Sequence, residues 1–520
     1  MRPNAVTIAA LVAIAGPGRA ERLCDGRHSM ERATSSTAQR VGDGVGAAAA
    51  TSTASYHMQR QDHFDPLNER LWPQAYYVND TFWRGPISGA PIFLCVGGEG
   101  PPLTPAVAVD SPHCNLAVEM LSSVGGLFLA LEHRHYGCHN RSACPYSADD
   151  PHPLRHLSSR QAVNDIATFH SHASKRFSLA SSSPWIAFGG SYPGMLASFV
   201  RIKFPHLIRA AVASSAPVRA ILDFTGYNDV VADAYAVGSV GGSTECRAAI
   251  GAGHARVGEL LDDPIGRERL AALFNLLSAE WLEAPSHRRE FAADGVARFP
   301  AQSNDPAARG DAANIRSICR FFEGWDHTAE DALQRLARLA DVQGARRARR
   351  GCLGGGGSGG GGVSAVAVTA EEPNYWGWQT CTEFGFYQTC ERGSRCFFTQ
   401  GLSNLSNQAA FCQREFGISL AEIADAVERT NLYYGADDPG GSDILYVNGQ
   451  VDPWHAASVL SSPDPARGLS ALWVPGASHH AWTHPSRKGD QPEVDEARRK
   501  IRNQVRRWLD ESVLTRHEYM

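Results

Sequence analysis

Phe188-Gly189-Gly190-Ser191-Tyr192-Pro193-Gly194 stands between the apolar run Pro184-Trp185-Ile186-Ala187 and the helix-like run Met195-Leu196-Ala197-Ser198-Phe199-Val200-Arg201. A serine in a glycine-rich turn from strand to helix has its hydroxyl lifted above a sheet. Such a turn is strained and a Cβ would clash in it, which is why glycines flank the serine. Pro193 departs from a strict Gly-x-Ser-x-Gly pattern. It falls in the first helical turn, where a missing N–H costs little and the fixed φ suits the backbone. Nucleotide-binding loops also hold serines in such turns, but no Gly-Lys-Ser/Thr is present, which argues against a phosphate loop.

A nucleophilic serine needs a base, and the base needs an orienting carboxylate. On this kind of sheet they follow in the order Ser, Asp, His, each on a loop after a strand. The strand-like run Asp443-Ile444-Leu445-Tyr446-Val447-Asn448 leads into Gly449-Gln450-Val451-Asp452-Pro453-Trp454. The next run, Leu472-Trp473-Val474-Pro475, leads into Gly476-Ala477-Ser478-His479-His480. The expected roles are therefore Ser191 as nucleophile, His479 as base and Asp452 as its orienting carboxylate. His480 and, more weakly, His484 are rivals for the base. The oxyanion is expected to be held by the Tyr192 backbone N–H and by a donor from the Gly97–Gly100 loop, assigned to Gly98.

Further buried strands are predicted at Pro91–Val96, Gly126–Leu131 and Ala210–Ser215, with a helix at Ser158–Phe169 and a closing amphipathic helix around Ile501–Leu509. Strands alternating with helices mean a mostly parallel sheet. The fold class expected is α/β, an α/β-hydrolase fold with an inserted, mainly helical, disulfide-containing cap domain. The strand–helix rhythm stops from about Asp223 to Arg429, and this is the cap. The expected division is a signal peptide at 1–20, a disordered segment at 21–55, core at 56–222, cap at 223–430 and core again at 431–520. Inside the cap, residues 344–362 form an Arg/Gly-rich insert in which no packed structure is expected. It reads as a tolerated surface loop or as a protease-sensitive site.

The chain has 520 residues, 43% hydrophobic and 20% charged, a globular balance. A net charge of −5 gives no argument for a nucleic-acid partner. Arg2, the apolar run Ala5–Ala15 and the small residues around Gly18-Arg19-Ala20 read as a signal peptide cleaved after Ala20. That run is too short to span a bilayer, and no later stretch reaches the ~18 apolar residues a span needs. Twelve cysteines suit a secreted or lysosomal/vacuolar protein with several disulfides, whose connectivity is not readable from spacing. Sequons at Asn79, Asn140 and Asn404 agree with that route. No metal-ligand set and no cofactor motif is recognised. Glu383, flanked by aromatics, is a candidate to bind a substrate amine, and Trp454 to wall an apolar pocket suited to a proline ring. For Glu383, as for Glu99 and Glu132, a structural carboxylate is the simpler reading. The partners expected are short peptide substrates, with a homodimer as a further candidate.

Several blocks together resemble the lysosomal and secreted serine peptidases that include prolyl carboxypeptidase, dipeptidyl peptidase II and thymus-specific serine protease. They are Gln61-Asp62-His63-Phe64, Gln74-Ala75-Tyr76-Tyr77-Val78-Asn79-Asp80, Gly97-Gly98-Glu99-Gly100, Glu132-His133-Arg134-His135-Tyr136-Gly137, Ala213-Ser214-Ser215-Ala216-Pro217-Val218 and Asn448-Gly449 with Asp452-Pro453-Trp454. The cap stretch from Trp378 to Cys390 resembles the thymus-specific branch more than the other two. The resemblance covers about Gln59 to the C-terminus, apart from the Gly-rich insert. It implies the triad Ser191, Asp452 and His479, and exopeptidase action on short peptides, often beside proline, in acidic compartments. The chain departs from the family in Ala481-Trp482-Thr483-His484, where an acidic residue is common, and in the insert carrying Cys138 and Cys144. Outside the resemblance, an esterase or lipase on the same scaffold and a catalytically silent peptide-binding protein are the competing readings.

Overall fold

The six apolar runs read as strands all enter one eight-stranded sheet. The fold is taken from a computed structural model that describes residues 53–86, 89–138, 143–147, 149–276, 278–352, 373–462 and 464–518. The runs are β3 (Ile92–Val96), β4 (Leu127–Leu131), β5 (Trp185–Gly190), β6 (Ala210–Ser214), β9 (Ile444–Gly449) and β10 (Leu469–Val474). With β1 (Ser55–Arg60) and β2 (Leu71–Asn79), the order across the sheet is β1-β2-β4-β3-β5-β6-β9-β10. All pairs from β4 to β10 are parallel, while β1 pairs with β2, and β2 with β4, antiparallel. This is the α/β-hydrolase arrangement expected.

The central strands are apolar throughout because helices cover both faces. Ile92, Leu94 and Val96 face α2 (Ser159–Arg176) and α3 (Tyr192–Lys203), where Val163, Ile166, Phe169, Leu196 and Phe199 meet them. Phe93 and Cys95 face the opposite way, toward α1 (Asn115–Val124) and α13 (Pro492–Glu518), whose Leu116, Leu121, Ile501, Val505 and Trp508 close that side. The two antiparallel strands escaped the sequence analysis for a physical reason. β1 is an edge strand with Tyr56 and Met58 exposed, and β2 carries Pro73, so neither has the apolar run of a buried strand.

Between the two parts of the sheet the described chain is mainly helical: α4 (Thr225–Ala234), α5 (Thr244–Leu261), α6 (Pro264–Leu273), α7 (Pro285–Ala292), α8 (Ile315–Cys319), α9 (Ala329–Cys352), α10 (Tyr375–Gln379), α11 (Leu405–Phe416) and α12 (Leu420–Tyr434). One parallel pair interrupts it, β7 (Ile221–Asp223) with β8 (Gly385–Tyr387), each only three residues long and below any periodic signal. Disulfides bind this region internally, Cys246–Cys319, Cys381–Cys412 and Cys390–Cys396. Cys95–Cys114 and Cys138–Cys144 lie in the first half of the core. The insert differs from expectation. Helix α9 continues to Cys352, so residues 344–352 are helical. Its Ala and Arg residues are strong helix formers, and the helix-breaking glycine run begins only afterwards. Residues 353–362, the expected signal peptide at 1–20 and nearly all of the segment 21–55 lie outside the described residues.

Candidate active site

Strand β5 ends at Gly190, and α3 starts at Tyr192, so the whole reversal falls on Ser191. Ser191 takes φ 64° and ψ −134°, a conformation that L-residues disfavour. Its N–H is held by the Ser214 carbonyl at 2.9 Å. The flanking glycines are forced by packing. A Cβ on Gly189 would lie 2.2 Å from the Pro193 carbonyl oxygen, and one on Gly194 2.9 Å from the Ser214 carbonyl oxygen. The loop after β3 comes as close, since a Cβ on Gly98 would lie 2.2 Å from the Pro193 ring. Gly98 therefore sits against the first turn of α3.

The loops after β9 and β10 bring in the other two groups. Asp452 is completely buried, and both its oxygens lie 2.9 Å from Nδ1 of His479. The Trp454 backbone N–H donates to the same carboxylate at 3.1 Å, which fixes its plane. The His479 Nε2 is buried and has no hydrogen-bond partner among the described residues. That leaves Nε2 as the nitrogen able to take a proton. The rival His480 turns elsewhere, with its N–H on Ser215 Oγ at 2.8 Å and Nδ1 on Thr483 Oγ1 at 3.1 Å. His484 stacks beyond His480, so His479 alone of the three meets Asp452.

Glu99 also belongs to the site, although its sequence context suggested only a structural carboxylate. Its carboxyl lies in the neighbourhood of Ser191, Tyr192 and His479, and its Oε2 is buried with no hydrogen-bond partner among the described residues. Burial pushes this carboxyl up to about 7, against the lowering effect of those neighbours. The Gly-Gly-Glu-Gly loop was read for its glycines, and the acid between them was the missed signal.

The Tyr192 side chain anchors the candidate oxyanion residue to the cap. Gln379 Nε2 donates to its hydroxyl at 2.9 Å, and that hydroxyl lies 3.1 Å from His133 Nε2. Burial holds His133 near 4, hence neutral and able to accept. Glu383 completes this network rather than reaching a substrate. Both its oxygens accept the Ser159 backbone N–H at 2.9 Å at the start of α2, and Ser159 Oγ donates at 2.6 Å. Gln379 donates to it at 3.2 Å. Of the two readings of Glu383, these contacts fit the structural carboxylate, whose lone pairs serve the helix start, and not an amine ligand.

Trp454 is buried among Phe224, Tyr227 and Phe386, with its ring centroid 6.4 Å from that of His479. Its indole N–H donates to Gln302 Oε1 at 3.0 Å. Gln302, in the cap loop before α8, carries no motif and was invisible to sequence reasoning. Two sequons fit the folded chain poorly. Asn79 is buried with its amide donating to the Ala108 carbonyl at 2.7 Å, a bond a glycan on that nitrogen would break. Asn404 caps α11 and donates to the Gly401 carbonyl at 3.3 Å. Asn140 lies outside the described residues. Among the described residues no cluster of metal-ligating side chains occurs, and no helix is long and apolar enough to cross a membrane.

A serine on a strained elbow, a histidine bound to a buried aspartate and backbone donors beside the serine can together carry out acyl transfer. Residues 59–501 match the family model described as serine carboxypeptidase S28. Thymus-specific serine protease of Homo sapiens is 37% identical, over 93% of this chain and 92% of that protein. Its counterpart from Mus musculus is 35% identical over 93% of each chain. Lysosomal Pro-X carboxypeptidase of Homo sapiens is 24% identical over 84% of each. Among solved structures, proline iminopeptidase of Mycobacterium smegmatis aligns with 88% of this chain and 100% of its own, at 13% identity and a TM-score of 0.33.

Proposed function

The chain belongs to the serine carboxypeptidase S28 family and is of the serine-peptidase class, and from that premise we propose that it is an exopeptidase hydrolysing short peptides through an acyl-enzyme on Ser191. Its preference is for proline next to the scissile bond, acting as a carboxypeptidase or a dipeptidyl peptidase. His479 Nε2 takes the Ser191 proton as Oγ attacks the scissile carbonyl carbon. The same proton passes to the leaving amine, and the C–N bond breaks. Water then repeats the sequence on the acyl-enzyme, with His479 again as base. Asp452 keeps the proton on Nδ1 and stabilises the imidazolium. The N–H groups of Tyr192 and Gly98 hold the oxyanion.

One observation carries this reading, the two 2.9 Å contacts of His479 Nδ1 with Asp452 together with an unpartnered, buried Nε2. Proline preference is supported by the aromatic set of Phe224, Tyr227, Phe386 and Trp454 beside His479. The related lysosomal Pro-X carboxypeptidases carry that preference in their name. The same reading takes the region from about 223 to 430 as the cap over the site. It places the protein in a secreted or lysosomal compartment, reached through the N-terminal segment.

The test is mass spectrometry of one proline-containing peptide incubated with secreted protein, with its amino end, its carboxyl end or neither blocked. Loss of cleavage on blocking one end only, abolished by Ser191→Ala, is the expected result. Cleavage indifferent to both blocks, or surviving Ser191→Ala, would refute the exopeptidase reading.

A further inference from the structure

Tyr192 is the first residue of α3, so its N–H lies outside the helix's own hydrogen-bond ladder. It also follows Ser191, whose φ of 64° and ψ of −134° are disfavoured. Neither the helix nor a relaxed turn therefore secures the direction of that N–H. The Tyr192 side chain supplies what the backbone lacks. Its ring is buried and meets Trp376 and Phe384 at centroid distances of 5.8 and 5.7 Å. Its hydroxyl lies 2.9 Å from Gln379 Nε2 and 3.1 Å from His133 Nε2.

The direction of every bond in this chain follows from groups that act in one sense only. His133 Nδ1 lies 2.5 Å from the Arg134 carbonyl oxygen, which only accepts, so the proton of the neutral ring sits on Nδ1 and Nε2 is bare. Nε2 then accepts the Tyr192 hydroxyl proton, and the hydroxyl oxygen accepts from Gln379. The Gln379 amide is oriented in turn: Oε1 accepts the Tyr136 hydroxyl at 2.8 Å, and Nε2 also donates to Glu383 at 3.2 Å. That carboxyl is itself pinned by the Ser159 backbone N–H and hydroxyl at the start of α2. Tyr192, His133, Gln379 and Glu383 are all buried, so bulk water does not compete for these bonds.

We propose that Gln379 is a positioning residue for acyl transfer: from the end of α10 it holds the Tyr192 phenol, and through the phenol it aims the Tyr192 N–H at the oxyanion. The proposal rests on Ser191 being the nucleophile and the Tyr192 N–H an oxyanion donor. Two sides grip the phenol. His133, just after β4, holds it from the sheet, and Gln379 holds it from the helical region read as the cap. A donor stabilises the developing charge most when its aim is fixed beforehand, with no reorganisation left for the moment of reaction. Gln379 needs no contact with the reacting atoms. It makes the efficiency of the elbow depend on how the cap is seated.

The test is the rate at which a fluorophosphonate labels Ser191 in the full-length folded protein, resolved into a maximal rate and a half-saturating probe concentration. Labelling uses the same nucleophile and oxyanion donors as hydrolysis but no particular peptide. Tyr192→Phe keeps the ring and the N–H and removes only the hydroxyl. Gln379→Met keeps length and removes the amide. Each should lower the maximal rate about tenfold, a fraction of the ~10²–10³ that loss of a whole donor costs, and leave the half-saturating concentration within about twofold. The decisive readout is the double variant. If Gln379 acts through the phenol, Gln379→Met adds less than about twofold once the hydroxyl is gone. A merely structural role predicts independent losses that multiply to about a hundredfold. Gln379→Asn, whose shorter side chain withdraws the amide, replaces Gln379→Met if that variant fails to fold. Unchanged maximal rates in the single variants, or multiplying losses in the double, would overturn the proposal and leave Ser191 as nucleophile. Labelling that is absent, or that survives Ser191→Ala, would remove the nucleophile and the proposal with it.

Discussion

The backbone carbonyl of Gln302 accepts the backbone N–H of His479 at 3.1 Å. The side chain of the same glutamine works on the opposite flank, where Oε1 accepts the Tyr227 hydroxyl at 2.7 Å and the Trp454 indole N–H at 3.0 Å. A single residue of the cap loop thus touches the loop of the candidate base and the ring that follows Asp452. Cap and sheet meet beside the proposed triad through this residue.

Gln302→Ala should therefore disturb both flanks. The Trp454 indole N–H is buried and would lose its acceptor, which costs about 1–3 kcal/mol. With the cap loop loosened, the main chain of His479 is less well fixed. The expected outcome is a lower melting temperature and a fall in kcat larger than any rise in KM. Unchanged melting and unchanged kcat would mean that the contact is incidental.

Asp452→Asn isolates the role of the carboxylate. The substitution keeps shape but offers an N–H to His479 as well as an acceptor. The ring can then turn its proton to Nε2, the nitrogen that must be free to accept. The loss expected in kcat is about 10⁴-fold, the scale for an amide in this position of a serine triad. Single-turnover acylation measures it directly, and a loss below about tenfold would place the orienting group elsewhere.

The sheet was legible because each central strand is an apolar run closed by a turn, and the proposed triad could be named because its members end three of those runs. Placing Ser191, Asp452 and His479 after three strands needed only chain order. What escaped lacks a local pattern. β1 and β2 are half-exposed or carry a proline. β8 is three residues long. The position of Gln302 depends on the way the cap loop folds back onto the sheet, which no periodicity encodes. Glu383 shows how a local pattern can support two readings. Its aromatic neighbours suggested a binding pocket, yet they pack as core around Phe384 and Phe386, and the carboxylate between them faces a helix start.

Glu383→Ala is accordingly expected to act on stability. It strips the Ser159 backbone N–H and hydroxyl of their acceptor at the head of α2, a loss of about 1–3 kcal/mol. Thermal denaturation should show it. The ratio of KM values for a peptide with a free and a blocked amino end should stay within about twofold, since four charge-assisted contacts already occupy the carboxylate. A large, selective rise in KM for the free-amine peptide would restore Glu383 as a substrate ligand.

The buried histidines give the fold a pH dependence whose sign can be worked out. Burial lowers His133 and His254 to about 4, and His135 and His480 well below their ordinary 6.5. His254 shows why protonation is resisted: one nitrogen lies on the Ile250 carbonyl at 3.0 Å and the other accepts the Val296 N–H at 3.3 Å. A second proton would set N–H against N–H. Between about 4 and 6.5 the unfolded chain takes up protons that the folded chain refuses. The stability these groups contribute is therefore complete above about 6.5 and is lost as pH falls toward 4. Glu99 and Glu132, which burial raises from 4.5 to about 7, act the other way: the stability due to their protonated forms is lost as pH rises through that window. Burial lowers eleven histidines in all and raises three carboxyls, Glu99, Glu132 and Glu383, so the first effect dominates. The melting temperature should accordingly drop between about pH 6.5 and about pH 4 in scanning calorimetry at constant ionic strength. A maximum near pH 4.5 would instead mean that the carboxyls govern, and that water reaches the histidines.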